Sequence, residues 1–469
     1  MNTTIRLSGT GDLRLVASGF YGTGPAYANG RMDCRPDRPV LFFTDRKEAP
    51  GLHVCMMLKN RLRGDARVKK EALSLKSAGW DVTIICWQEP GVADDEDWNG
   101  IRVRRIRYRS AMAARVTGGL DSDGGTRNLA GRFLSALRHS RARRRAADFF
   151  RNAVCDLRLL SKALEAKPDV LHANDLDTLL PAWAASRLCR ARLIYDSHEL
   201  WLGSARYLRE TGFVGRLRDR LVERRLIRRA DAVIAVTPGR IGAMERMYPG
   251  LHIDLVENCP YPAPDRRRSS YLDDVLGGGE GPIVLYQGAI SFERGLENLI
   301  DACGLLPRGS VRVVMIGPDM TSGILPGMAK ARDVNGVLSI LPAVPSERLP
   351  EVTASADMGL ILFQNTCPNH YYSLPNKLYE YMMAGLPIIA SDLPEMSDLI
   401  LRERCGVLVD PEDSGAIAGR ILELASDPGL REEMGGRGRR AALERYTWPD
   451  QEVSLLGVYA RVANRIGPR

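Results

Sequence analysis

The chain has 469 residues, 45% hydrophobic and 26% charged, with a formal net charge of +9. That length is too great for one ordinary core and suits two domains of roughly 200 residues each plus extras, and the composition is that of a globular protein. No run reaches the roughly 18 apolar residues that span a bilayer, the start holds no signal-peptide core, and cysteines without a Cys-x-x-Cys pair exclude zinc ribbons and disulfide frameworks. A cytoplasmic location is expected, with membrane contact at most peripheral at the inner face.

In chain order, residues 1–48 show no sustained period and read as an extension of unknown role, with one candidate strand at 39–43. Regular alternation then begins, with a strand at 52–58, a helix over Ala66–Ser77 stopped by Gly79, and a strand over Asp81–Trp87. This βαβ unit implies a parallel sheet. Asp65 is either the N-cap of that helix or, with Gly64, faces a ligand at its N-terminus.

Positive charge is concentrated. Residues 101–160 hold fifteen Arg against four Asp, and residues 206–229 hold nine Arg against Glu210, Asp219 and Glu223. A solvated helix face, an anionic membrane surface and nucleic acid compete as explanations. Nucleic acid ranks last and is not expected as a partner, because few aromatics are available for stacking. The run 132–145, bounded by Arg132 and Arg145, is the candidate membrane contact.

After a strand near Ile101–Ile106 and a long helix at 129–166, strands are expected at 169–172, 191–195, 232–236 and 252–256, with helices at 178–188 and 216–229 between them. Pro260, Pro262 and Pro264 with the polar residues 266–270 form a stiff linker. The second half repeats the scheme: strands at 283–286, 311–316, 337–341 and 358–362, and helices at 296–305 and 416–425. A closing helical segment at 448–466 could cross back onto the first domain. The division is 1–48 extension, 49–262 first domain, 263–445 second domain and 446–469 crossover helix, an α/β protein of two Rossmann-like, doubly wound sheets facing a cleft.

Chemistry-bearing residues fall at strand ends. His198 closes the polar row Tyr195-Asp196-Ser197-His198-Glu199 after a buried strand, and His172 and Asp175 follow a similar one. Asp175-Leu176-Asp177 and Asp121-Ser122-Asp123 fit a short, frequent DxD pattern, and no metal is expected. In the second half, Gly288 follows a strand and Arg294 lies near the next helix N-terminus, where a phosphate could be held. The stretch 373–392 carries Asn376, Lys377 and Glu380 on a helix ended by Gly385. Glu380 could accept two ribose hydroxyls and Lys377 could face a phosphate or sugar; a helical Lys377/Glu380 ion pair is the rival reading.

Taken together, Asp65-Ala66-Arg67-Val68-Lys69-Lys70-Glu71-Ala72, Pro168-Asp169-Val170-Leu171-His172-Ala173-Asn174-Asp175, Tyr195-Asp196-Ser197-His198-Glu199, Ala230-Asp231-Ala232-Val233-Ile234 and the 373–392 stretch resemble the family-4 retaining glycosyltransferases of GT-B fold. The resemblance implies sugar transfer from a nucleotide-sugar donor to a lipid-linked or polysaccharide acceptor. It further implies retention at the anomeric carbon, no required metal or cofactor, an acceptor domain first and a donor domain second. It assigns catalytic roles to His198, Arg294 and Glu380, donor contacts to Gly288, Arg294, Asn376, Lys377 and Glu380, and leaves Asp65, Asp175 and Glu199 as acceptor-side candidates. Two positions depart from the pattern: Ala289 stands where a basic residue is usual, and Tyr372 replaces the first of two glutamates separated by seven residues. Lys377 could supply part of the missing contact, which puts donor choice at Tyr372 and Lys377. A GT-B epimerase or a catalytically degenerate binding subunit are the rival functions.

Overall fold

The computed structural model describes residues 51–89, 91–107, 141–263 and 269–466, without the side chains of 141–150 and 206. The 1–48 extension, Asp121 and Asp123, helix positions 129–140, the side chains of the 132–145 run and linker residues 264–268 lie outside the described residues.

Two sheets organise the rest. The first has the order β3-β4-β2-β1-β5-β6-β7-β8, from β1 (His53–Met57), β2 (Asp81–Trp87), β3 (Asp95–Trp98), β4 (Ile101–Ile106), β5 (Val170–Asn174), β6 (Arg192–Ser197), β7 (Ala232–Ala235) and β8 (Asp254–Leu255). Only the β3–β4 pair is antiparallel. The second is wholly parallel, in the order β11-β10-β9-β12-β13-β14, from β9 (Ile283–Gln287), β10 (Arg312–Ile316), β11 (Leu338–Leu341), β12 (Met358–Ile361), β13 (Ile388–Ser391) and β14 (Gly406–Val409).

Both sheets are doubly wound because their strands are apolar on both faces. Along β1, Cys55 and Met57 enter one core while Val54 and Met56 enter the other; along β9, Ile283 and Leu285 alternate with Val284 and Tyr286 in the same way. The strand order reverses between β1 and β5 and between β9 and β12. At such switch points the crevice outside the strand carboxyl ends is open to a ligand.

The helix Trp448–Ala463 returns to the first half, as expected of the closing segment. Trp448 is fully buried, its indole N–H donates to Ser74 Oγ at 3.0 Å, and Tyr459 packs edge-on to Trp80 at 5.1 Å. The expected helix Ala66–Ser77 and strands β2 and β4 have the bounds read from the sequence. Helices Pro238–Met247, Ile324–Ala331, Pro394–Glu403 and Pro428–Arg445 were not expected, and the last explains why. Glycine is a poor helix former, yet Gly435 lets the helix approach the Gly385 carbonyl, where an added Cβ would meet oxygen at 2.0 Å. Gly435→Ala is therefore expected to destabilise the fold by about 1–3 kcal/mol of overpacking, only partly offset by helix propensity. Gly436→Ala, with no atom within 4 Å, should not destabilise it; denaturant unfolding of the two variants checks the opposite signs.

Candidate active site

At the switch point of the second sheet, Gly288 leaves β9 with φ 124, a conformation that favours glycine. Its N–H donates to Ile316 O at 2.9 Å, so it is engaged within the protein, which corrects the expectation that the Gly288 amide is free for phosphate. What stands beside it is Lys377. A Cβ at position 288 would lie 3.2 Å from Lys377 Nζ, and that ammonium sits 3.7 Å from the Tyr286 ring centroid. Arg294 stacks over Phe363 at 4.0 Å. Lys377 approaches the same Phe363 ring at 5.8 Å, so the two cations share one aromatic support.

Among the described residues, neither cation has a carboxylate within ion-pair distance, and the Lys377/Glu380 pair offered by the helical spacing does not form. Burial first, then the Arg294 charge, holds the Lys377 ammonium well below the usual lysine range. Glu380 instead accepts from the Gln287 side-chain amide, whose carbonyl takes the Thr353 hydroxyl at 2.8 Å. Burial pushes the Glu380 carboxyl up, against the Gln287 hydrogen bond. The helix Leu296–Cys303 starts after Arg294 with Gly295 as its N-cap and no capping side chain. Its N-terminal amides are of the kind that attract anions.

In the first half of the chain, His198 follows β6 but faces inward. Its Nε2 lies 3.0 Å from Asp196 Oδ2, its Nδ1 lies 3.8 Å from Asp175 Oδ2, and its backbone N–H donates to Asp175 Oδ1 at 2.9 Å. Burial opposes the charged ring, but the Asp196 and Asp175 carboxylates outweigh it and push the imidazole up to about 10. Asp196 is fully buried and receives Arg67 through Nε at 3.1 Å and Nη2 at 3.0 Å; Arg67 also meets Glu71 at 2.9 Å. Against burial, Arg67 and His198 hold the Asp196 carboxyl well below the usual carboxylate range. His172 lies 3.6 Å from Asp196 and shares a 2.6 Å hydrogen bond with Tyr459 of the crossover helix. The His198 position is thus set from β5, the 66–77 helix and the chain's closing helix together.

The other site candidates are dispersed. Asp65 caps the 66–77 helix through Val68 N–H at 3.1 Å and takes Asn60 at 2.8 Å. Asp175 does not cap the following helix with its side chain; it holds the His198 and Glu199 amides from a backbone at φ 63, ψ 167. That conformation costs a non-glycine residue on the order of 1–3 kcal/mol, which fits a residue held in place for its position. Glu199 Oε2 accepts from Asn369 at 3.4 Å, and Asn376 accepts from Asn258 at 2.9 Å.

Residues 65–258 match the family described as glycosyl transferase 4-like domain, and residues 273–441 match glycosyl transferases group 1. The chain belongs to these glycosyltransferases. The glycosyltransferase is 27% identical over 326 residues to alpha-maltose-1-phosphate synthase of Mycolicibacterium smegmatis, covering 65% of this chain and 76% of that one. It is 25% identical over 315 residues to D-inositol 3-phosphate glycosyltransferase of Xylanimonas cellulosilytica, covering 63% and 73%. In fold it resembles sucrose-phosphate synthase of Thermosynechococcus elongatus (TM-score 0.67, 17% identity, 88% of this chain and 99% of that one). It also resembles Anabaena HepE in complex with UDP-glucose (TM-score 0.61, 16% identity, 88% and 98%). The architecture is GT-B, and the enzyme is a nucleotide-sugar-dependent glycosyltransferase; retention at the anomeric carbon is consistent with that membership.

Asn369, Arg240 and His370 had no signal in this glycosyltransferase's sequence, whereas Tyr372 was singled out there for donor choice. Asn369 accepts from the Leu200 amide at 3.0 Å and from Arg240 at 3.1 Å, and Arg240 also donates to the His198 carbonyl. Tyr372 turns toward the first half, with its hydroxyl receiving Arg246 at 2.8 Å and its carbonyl receiving Thr237 at 3.2 Å. His370 lies near Arg294; burial, then that charge, lowers its imidazole to about 4, so it is neutral. In sequence the short helix Pro368–Tyr371 and its flanks look like any loop. For a metal, Glu71, His172 and Asp196 offer ligand atoms within 4.8 Å of one another, but Arg67 already contacts both carboxylates as a fixed cation. The carboxylates of the Asp175/Asp177 pair serve different networks, the first at His198 and the second facing Lys59.

Proposed function

We propose that the Gly288 pocket takes the diphosphate of the donor, with Arg294 and Lys377 on either side of it and Glu380 on the ribose. The observation that carries this is the pair of cations without carboxylate partners, on one aromatic support, at the switch point of the second sheet. Such cations are an incomplete charge arrangement that a dianion completes. UDP is the first donor nucleotide to try, because the HepE structure of similar fold holds UDP-glucose.

In this mechanism the departing diphosphate is stabilised by preorganised charge, and closure of the domains orients sugar and acceptor. Arg294 and Lys377 act on the leaving group. His198, held as an imidazolium between Asp196 and Asp175, supplies a fixed positive charge on the opposite wall and orients the donor sugar. No metal is required, since the two side-chain cations do its electrostatic work. The acceptor, a lipid-linked or polysaccharide intermediate, enters from the first domain near Glu199, Asp175 and Asp65. The protein works in the cytoplasm, peripherally at the inner membrane face, with the 132–145 run as one contact. The 1–48, 49–262, 263–445 and 446–469 segments are then extension, acceptor domain, donor domain and crossover helix.

Arg294→Ala should lower transfer about tenfold or more, since a charged hydrogen bond contributes about 1.5–3 kcal/mol. Steady-state assays with the turnover donor check this, and unchanged turnover removes Arg294 from the leaving-group role. A catalytically degenerate subunit would neither bind nucleoside diphosphates nor hydrolyse any nucleotide sugar.

A further inference from the structure

The helix Phe213–Leu226, which links β6 to β7, turns apolar side chains outward. Phe213 is 74% exposed, Val214 80%, Leu217 48% and Leu221 42%. Phe213, Leu217 and Leu221 follow the i, i+4, i+8 spacing and form one line up the helix with Val214 beside it, while Glu223 and Leu226 point into the core. Arginines bracket that line, Arg216 and Arg220 on one side and Arg218 and Arg225 on the other. Beyond Leu221 the surface opens into a groove of about 550 Å³ lined by Leu221, Arg224, Arg225, Arg228 and Arg229.

The acidic residues of this helix are already used. Glu223 receives the Tyr195 hydroxyl at 3.0 Å and the Tyr248 hydroxyl at 2.7 Å, and Asp219 receives Tyr207 at 3.1 Å and Arg218 at 2.7 Å. Among the described residues no carboxylate pairs with Arg224, Arg225, Arg228 or Arg229. Arg228 donates to the Pro249 carbonyl at 3.2 Å, and Arg229 lies over the Trp183 ring at 5.6 Å. Four uncompensated guanidiniums around an apolar wall attract an anion whose other part is apolar.

We propose that the 213–229 face docks in the plane of an anionic phospholipid bilayer. Phe213, Val214, Leu217 and Leu221 enter the boundary between head groups and acyl chains, and the arginine groove holds lipid phosphates. An apolar stripe bordered by long basic side chains is the pattern of a helix lying in the interface, its guanidiniums reaching up to the head groups. Four apolar side chains are far too few for a stable dimer, which takes on the order of 20–30 residues a side. Because the helix runs back against the parallel strands, its Phe213 end lies at the same carboxyl edge of the sheet as His198. Docked this way, the cleft rim faces the bilayer, within reach of an acceptor that is itself anchored in lipid. This deepens the peripheral-membrane part of the proposed function and does not depend on the residue roles at Gly288.

The test is flotation of the full chain with vesicles of phosphatidylcholine alone and of phosphatidylcholine with phosphatidylglycerol. The unaltered protein should float with the anionic vesicles and not with the neutral ones. Val214→Asp with Leu217→Asp, and separately Arg224→Glu with Arg225→Glu, should each lower the bound fraction about tenfold or more. Both pairs are exposed, so nucleoside diphosphate binding should be unchanged, and that separates loss of docking from loss of the donor site. Flotation unaltered by both pairs of substitutions would overturn the proposal, as would equal binding to neutral vesicles. A dimer of the unaltered chain that dissociates in the Val214→Asp, Leu217→Asp protein would overturn it too, by making the face a self-contact.

Discussion

Asp196→Ala is expected to destabilise the protein by about 3–5 kcal/mol, the cost of stranding a buried charge. Asp196 is the only carboxylate in contact with both Arg67 and His198 among the described residues, and all three are buried or nearly so. Without it, Arg67 keeps Glu71 and the Val256 carbonyl at 2.7 Å, but His198 keeps only the more distant Asp175. The titration of His198 gives the signature. Its pKa is raised from 6.5 to about 10, so the stability it contributes is complete below about 6.5 and is lost as the pH climbs through about 10. The stability difference between the unaltered protein and His198→Gln should therefore shrink between those two pH values. Denaturant unfolding at several pH values measures it, and a constant difference would mean that the imidazole is neutral in the folded protein.

The second large effect concerns the donor pocket. Removing both cations, Arg294→Ala with Lys377→Met, should weaken nucleoside diphosphate binding by roughly 10²–10⁴, taking about 1.5–3 kcal/mol for each charged contact. Burial and Arg294 hold the Lys377 ammonium well below the usual lysine range, and a phosphate beside it opposes both and strengthens its hold on the proton. Calorimetry in buffers of different ionisation enthalpy should register proton uptake by the unaltered protein and none at this group in Lys377→Met. Equal proton uptake by both would assign it elsewhere.

Much of the fold was legible because two-sided burial makes parallel strands into short apolar runs, and Gly79 and Gly385 mark helix ends. Helices carrying glycine on a packed face, such as Pro428–Arg445, were not legible, since the partner that needs the small residue is remote in sequence. The site divides in the same way. Gly288, Arg294, Lys377 and Glu380 sit at a strand end and on the helix that faces it, and local pattern was enough to single them out. His198 was singled out, but not the direction of its ring, because β6 continues to Ser197 and buries Asp196 below it. The i, i+4 pair Arg67 and Glu71 was a usable signal, being two charges on a helix face otherwise lined by Val68, Ala72 and Leu75. Asn369, His370 and the outward turn of Tyr372 depend on the opposite domain, which no single segment reveals.

In the proposed function, Arg294 and Lys377 at the Gly288 loop hold the diphosphate of a nucleotide sugar. Calorimetric titration of UDP and other nucleoside diphosphates into the unaltered chain and into Arg294→Ala with Lys377→Met tests it most directly. At least one nucleotide should bind the unaltered chain and bind the double variant at least about a hundredfold more weakly. Equal affinity for both proteins, or no binding of any nucleoside diphosphate to the unaltered chain, would contradict it.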